Sequence, residues 1–146
     1  MFLGRFDHSI DEKGRMTFPA RFREDLGDQG AFLTRGFDQN LIVYTAANFT
    51  KISQRLNQLS LTDDNARVLR RLIFSNAVQV EFDKSGRILI PQFLRQAAGL
   101  ESAAMVIGAG EYFEIWSPEL WAGQDAQLQD PQLNAQRYAA LNLTLE

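Results

Sequence analysis

Asp11-Glu12-Lys13-Gly14-Arg15-Met16-Thr17-Phe18-Pro19 returns later in the chain as Asp83-Lys84-Ser85-Gly86-Arg87-Ile88-Leu89-Ile90-Pro91. Outward from this stretch the register holds without a gap. Arg23 falls on Arg95, Gly27 on Gly99, Gly36 on Gly108, and Leu41-Ile42-Val43-Tyr44-Thr45 on Phe113-Glu114-Ile115-Trp116-Ser117. Phe49 falls on Trp121. A duplication inside 146 residues implies one architecture with an approximate internal two-fold. A string that occurs twice at one register is a specified turn.

Each copy reads as strand, tight turn, strand, short helix, strand, strand. Phe6, His8 and Ile10 alternate with Asp7 and Ser9, and Val78, Val80 and Phe82 alternate with Gln79 and Glu81, the period of half-buried strands. Gly14 and Gly86 suit turn positions with positive φ, and the carboxylates of Asp11 and Asp83 can accept turn N–H groups. Pro19 and Pro91 suit the first position of a helix, and Gly27 and Gly99 suit its stop. Phe22/Leu26 and Leu94/Ala98 give each short helix one buried face. Two more strands close each copy, around 31–35 and 41–44 and again around 105–107 and 112–116.

Between the copies two helices are expected. Asn48 or Thr50 caps the first and Thr62 the second. Arg67, Arg70 and Arg71 lie off the apolar stripe of the second, either as a solvated face pairing with Asp63 and Asp64 or as a docking surface. After Trp121 the apolar periodicity weakens, and Leu133, Tyr138 and Leu141 suggest a short terminal helix. The expected organisation is residues 1–50 as first repeat, 51–76 as helical connector, 77–121 as second repeat and 122–146 as a partly helical tail.

Composition narrows the function. With no cysteine there is no disulfide framework and no thiol nucleophile, and His8 is the only histidine, leaving little for a metal site or a Ser-His triad. No cofactor and no metal is expected. No apolar run approaches the roughly 20 residues of a membrane span, and Met1-Phe2-Leu3-Gly4-Arg5 lacks the apolar core of a signal peptide. A cytoplasmic protein with no membrane partner is the simplest reading. Nothing sets a nucleophile beside a base, and Gly108-Ala109-Gly110 is explained as a hairpin turn. An enzyme is not expected.

The net charge is -3, but it is unevenly spread. Residues 51–100 hold eight Lys/Arg against four Asp/Glu, and residues 101–146 hold one Arg against seven Asp/Glu. The turn motif Asp-x-x-Gly-Arg has two readings. In one, Asp11 pairs with Arg15 and Asp83 with Arg87, pinning two hairpins. In the other, Arg15 stands exposed beside Lys13 and offers a planar fork of donors to guanine edges or phosphates. Copy one carries Lys13, Arg15, Arg21 and Arg23; copy two carries Lys84, Arg87 and Arg95, with Ser85 opposite Lys13. His8 reads as a packed imidazole. Tyr112, Phe113, Trp116 and Trp121 read as core or subunit contact.

These residues resemble the MraZ family of bacterial transcriptional regulators, a two-copy branch of the SpoVT/AbrB-like fold. The match runs from Met1-Phe2-x-Gly4 through Asp11-x-Lys13-Gly14-Arg15 and Pro19-x-x-x-Arg23 to Asp83-x-x-Gly86-Arg87-Ile88-x-Ile90-Pro91 and Phe113-Glu114-Ile115-Trp116. The resemblance implies a mainly β, α+β architecture: a duplicated swapped-hairpin β-barrel with pseudo-two-fold symmetry. It implies a homo-oligomeric closed ring that binds double-stranded DNA at promoter direct repeats and represses its own division and cell-wall operon, in association with the nucleoid. The DNA-contacting role attaches to Arg15 with Lys13, within a turn completed by Gly14 and Asp11; in the second copy the candidates are Arg87, the counterpart of Arg15, and Lys84, one position before the Ser85 that replaces Lys13. The competing class is a non-enzymatic assembly or protein-interaction module. A ring would suit an acidic chain, because later contacts on consecutive repeats become intramolecular and raise avidity by about 10² to 10⁴.

Overall fold

The structure is a computed structural model and describes residues 1–145. It is mixed α+β. The first copy supplies β1 (Arg5–Ser9), β2 (Arg15–Thr17), α1 (Ala20–Leu26), β3 (Ala31–Arg35), β4 (Leu41–Tyr44), α2 (Ala46–Asn57) and α3 (Asp64–Ser75). The second supplies β5 (Val78–Val80), β6 (Arg87–Leu89), α4 (Gln92–Ala98), β7 (Ala103–Gly108), β8 (Phe113–Trp116), α5 (Pro118–Leu128) and α6 (Pro131–Tyr138).

The strands form a six-stranded antiparallel sheet, ordered β1-β7-β8-β4-β3-β5, and a separate two-stranded ribbon of β2 and β6. Exchanging each strand for its repeat equivalent, β1 for β5, β3 for β7 and β4 for β8, carries the sheet order onto itself read from the other edge. Two residue pairs lie on the pseudo-two-fold, each joining a residue to its own repeat equivalent: Met16 with Ile88 in the ribbon, and Ile42 with Glu114 in the sheet. The first strand of each copy pairs with the third strand of the other, β1 with β7 and β5 with β3. The copies are therefore interlaced. Neither can bury its strands without the other.

One core serves both copies. Met16, Phe18, Phe22, Leu33 and Val43 from the first pack with Ile88, Ile90, Leu94, Phe113 and Ile115 from the second, all at most 2% exposed. Phe113 lies at its centre, with ring centroids 4.9 Å from Phe2, 4.9 Å from Phe22 and 5.0 Å from Phe18. Such tilted and edge-to-face pairs are the favoured aromatic geometries.

Local signals place some boundaries away from the sequence expectation. Pro19 and Pro91 sit one position earlier than expected, as the extended residue before each helix. Thr45 caps α2 by accepting from the Asn48 N–H, in place of Asn48 or Thr50, and Asp63 caps α3 in place of Thr62. The polar stretch after Trp121 lies largely within α5, which Ser117 caps and which starts at Pro118, the repeat equivalent of Ala46 at the start of α2. A single buried aromatic, Trp121, anchors α5 on Trp116, and Arg5 lies over its ring while bonding Asp125 at 2.9 Å. On α3, Arg67 pairs with Asp64 and Arg70 reaches Asn57 at 3.1 Å, so two of the three arginines are engaged within the helical hairpin. Among the described residues, no helix is long and apolar enough to cross a membrane.

Candidate functional site

The ribbon sets the site. In a strand, alternate side chains face opposite sides. Met16 and Ile88, each 1% exposed, point into the core. Arg15 and Thr17 on β2, with Arg87 and Leu89 on β6, therefore share the outer face. The antiparallel register sets Arg15 opposite Leu89 and Thr17 opposite Arg87. The arginines of the two copies thus sit on one surface, diagonally across the pseudo-two-fold. Sequence reasoning assigned them to two separate hairpins, because nothing local says that β2 and β6 pair with each other.

A turn leads into each strand of the ribbon. The Asp11 carbonyl accepts from Gly14 N–H at 2.9 Å, and the Asp83 carbonyl from Gly86 N–H at 3.0 Å. Gly14 has φ +86° and Gly86 φ +75°, where a Cβ is strained. A side chain there would also have to displace an arginine head group. A Cβ at Gly14 would stand 2.6 Å from the Arg95 guanidinium carbon, and one at Gly86 2.3 Å from Arg23 Nη1. Each turn is therefore covered by the arginine of the other copy's helix. Arg95 is held in place by donating from Nε to the Ile90 carbonyl at 2.9 Å. Arg23 Nε is buried without a partner among the described residues. Arg23 and Arg95, which counted as part of a basic face in the sequence, are half-buried covers for the turns.

The aspartates orient the arginines. Asp11 Oδ1 accepts the backbone N–H groups of Lys13 and Arg15 at 3.0 and 2.9 Å, and Oδ2 accepts Arg15 Nε at 2.8 Å. Asp83 repeats this with Ser85, Arg87 N–H and Arg87 Nε at 2.9, 2.9 and 3.1 Å. Arg87 Nη1 also lies 3.6 Å from Asp11 Oδ2, so one carboxylate lies between both arginines. The Arg15 backbone N–H is the main cause that holds Asp11 below the ordinary carboxylate range, against the opposing effect of burial, and the Arg87 N–H does the same for Asp83.

The first reading of the turn, pairing of aspartate with arginine, is met in both copies. Each aspartate pins its arginine, and the arginine stays accessible. Arg15 and Arg87 side chains are 32% and 33% exposed, and the Arg15 η-nitrogens carry no protein partner among the described residues. Lys13 and Lys84 are exposed at the turn tips and form no ion pair among the described residues. Beside the ribbon runs an open groove of about 600 Å³, with Arg15, Thr17 and Arg87 on one side and Asp7 and His8 of β1 on the other. His8 Nδ1 lies 3.2 Å from Thr17 Oγ1, and burial holds the imidazole below its ordinary value against the pull of Asp7. Sequence reasoning passed over Thr17 and Leu89. The available signal was their alternation with Met16 and Ile88.

A family profile described as "MraZ protein, putative antitoxin-like" matches residues 1–72 and again 73–143. A protein of Thermomicrobium roseum named "Transcriptional regulator MraZ" is 50% identical over 143 residues, covering 97% of this chain and 99% of its own. Similar proteins of the same name occur in Herpetosiphon aurantiacus, at 47% identity over 83% of this chain and 84% of theirs, and in Leuconostoc mesenteroides, at 42% over 89% and 90%.

Proposed function

The chain belongs to the MraZ family, several of whose members are named transcriptional regulators, and on that premise we propose that it is a non-enzymatic, sequence-specific DNA-binding repressor of its own division and cell-wall operon. It acts as a closed homo-oligomeric ring on promoter direct repeats, in the cytoplasm and at the nucleoid. The observation that carries this reading is the outer face of the ribbon, where Arg15 and Arg87 stand on one exposed surface, each oriented by an aspartate. A two-stranded β-ribbon fits the major groove, and an oriented guanidinium can bond both O6 and N7 of guanine. Lys13 and Lys84 at the two turn tips are suited to flanking phosphates, which position a reader without specifying sequence. Gly14 and Asp11 shape the turn that presents Lys13 and Arg15.

The strand exchange between copies supports reading the interlaced ladders as the swapped-hairpin barrel of AbrB-like proteins. The ring is what the family resemblance implies, and charge gives it a use. One protomer presents few cations on a chain of net charge -3, and few phosphate contacts give weak binding at physiological salt. Several protomers on consecutive repeats overcome this through avidity.

Footprinting of the purified protein on the DNA upstream of its own gene tests the reading. The expected result is protection over repeated elements, affinity that falls steeply with salt, and binding to a single-repeat fragment about 10² or more weaker than to the intact set. Absence of protection, with the oligomer intact, would leave an assembly module as the function.

A further inference from the structure

Leu89 breaks the symmetry of the ribbon. Its repeat equivalent is Thr17, tied to His8 at 3.2 Å. Leu89 is 52% exposed, on the same outer face as the two arginines, and directly opposite Arg15 in the ladder. An isolated exposed leucine on a protein surface is ordinary. This one is not on an ordinary surface, because it stands beside the guanidinium that the site offers to a base edge. Directly opposed residues of an antiparallel pair hold their Cβ atoms about 4.5–5.5 Å apart. Consecutive base pairs are stacked about 3.4 Å apart. A ribbon that sets Arg15 on one base pair therefore brings the Leu89 methyl groups to an adjacent one. In the major groove the apolar mark of a base pair is the 5-methyl group of thymine, and an aliphatic side chain matches it.

We infer that Leu89 is a base-reading residue, contacting the 5-methyl group of a thymine next to the base pair read by Arg15. The inference rests on the DNA-binding function proposed above. It also gives the site a direction. One end of the ribbon carries Arg15 with Leu89, the other Arg87 with Thr17, so the protomer meets its element in one orientation. That polarity suits direct repeats better than inverted ones.

The test uses promoter duplexes carrying the full set of repeats. In each, one thymine position is changed to deoxyuridine in every repeat, which removes the methyl group and keeps every hydrogen-bonding group. Affinities are measured for the full-length protein and for Leu89→Ala, with oligomer size checked by size-exclusion chromatography. At one thymine position deoxyuridine should weaken the unmodified protein by about fourfold per engaged repeat, the worth of burying one methyl group. Leu89→Ala should bind the thymine duplex with a similar loss and be indifferent to deoxyuridine there. If specific binding persists but the two proteins respond alike at every position, the Leu89 inference is overturned and the DNA reading stands. If Leu89→Ala changes oligomer size and leaves the methyl response intact, Leu89 belongs to a subunit joint and the inference is overturned. If the unmodified protein shows no preference for the repeats, the proposed function itself fails.

Discussion

Asp11 shows how one side chain can be both structural and functional. Its two carboxylate oxygens accept three N–H groups, and this fixes the backbone of the turn and the plane of the Arg15 guanidinium together. An exposed ion pair alone would contribute little. Here the backbone donors carry most of the effect, and the arginine gains orientation without losing its outer nitrogens. The consequence has a sign. The folded-state pKa of Asp11 lies below the ordinary aspartate value, and so does that of Asp83. Stability from a depressed carboxylate is present above the unfolded value and is lost as pH falls through the folded one. Acid unfolding followed by circular dichroism should therefore steepen as the pH falls through and below the ordinary aspartate range. The double variant Asp11→Asn/Asp83→Asn should unfold with a shallower dependence in that window. An identical acid profile would show that the turns do not hold their carboxylates in this way. At this scale much was visible in advance: Asp-x-x-Gly-Arg identified the turn, the glycine and the pairing. The contact from Arg87 to Asp11 was hidden, because it depends on pairing between strands that lie in different copies.

Among the elements, those with a strong local signal were found and those held by tertiary contact were displaced. The short helices α1 and α4 appear between their proline and glycine. Capping was misassigned wherever several Ser, Thr, Asp or Asn stood close together, since the choice is made by backbone angles. Thr45 is extended, with ψ 161°, and so becomes the cap; Thr62 precedes the capping Asp63. Helix α5 was partly missed because one tryptophan and an Arg5–Asp125 bond leave no apolar period to read. The N-terminal segment offers the clearest case. Phe2 is 2% exposed, bridges to Gly110 through backbone bonds of 2.8 and 3.0 Å, and packs on Phe22 and Phe113. Its place in the core depends on close approach at Gly108, where a Cβ would stand 2.6 Å from the Phe2 carbonyl. Phe2→Ala should therefore cost about 3–5 kcal/mol in denaturant unfolding, although it lies at the second position of the chain. A cost below about 1 kcal/mol would show that this segment is not part of the core.

At the scale of the molecule, duplication and exchange produce a surface that neither copy has alone. Pairing of β2 with β6 across the pseudo-two-fold brings two arginines, contributed by distant turns, onto one outer face. The repeat was plain in the sequence and so was the α+β class, but not the expected mainly β balance with short helices, since α2, α3 and α5 run to 12, 12 and 11 residues. The joint ribbon was not plain, since an internal two-fold does not say which strands lie on its axis. In the acidic C-terminal third, Glu119 and Asp125 lie in α5 and Asp130 caps α6, while Glu101, Glu111 and Glu114 lie on or beside β7 and β8, elements that take no part in the ribbon. The central claim is that this composite face grips DNA, with Arg15 reading a base. It is tested most directly by the preference of Arg15→Ala for promoter repeats over unrelated duplex, measured at the same oligomeric state as the unmodified protein. Bidentate contacts carry about 1–3 kcal/mol of discrimination each, so the preference should fall by about tenfold or more while fold and assembly persist. An unchanged preference would contradict the claim and move the DNA-binding surface away from the ribbon.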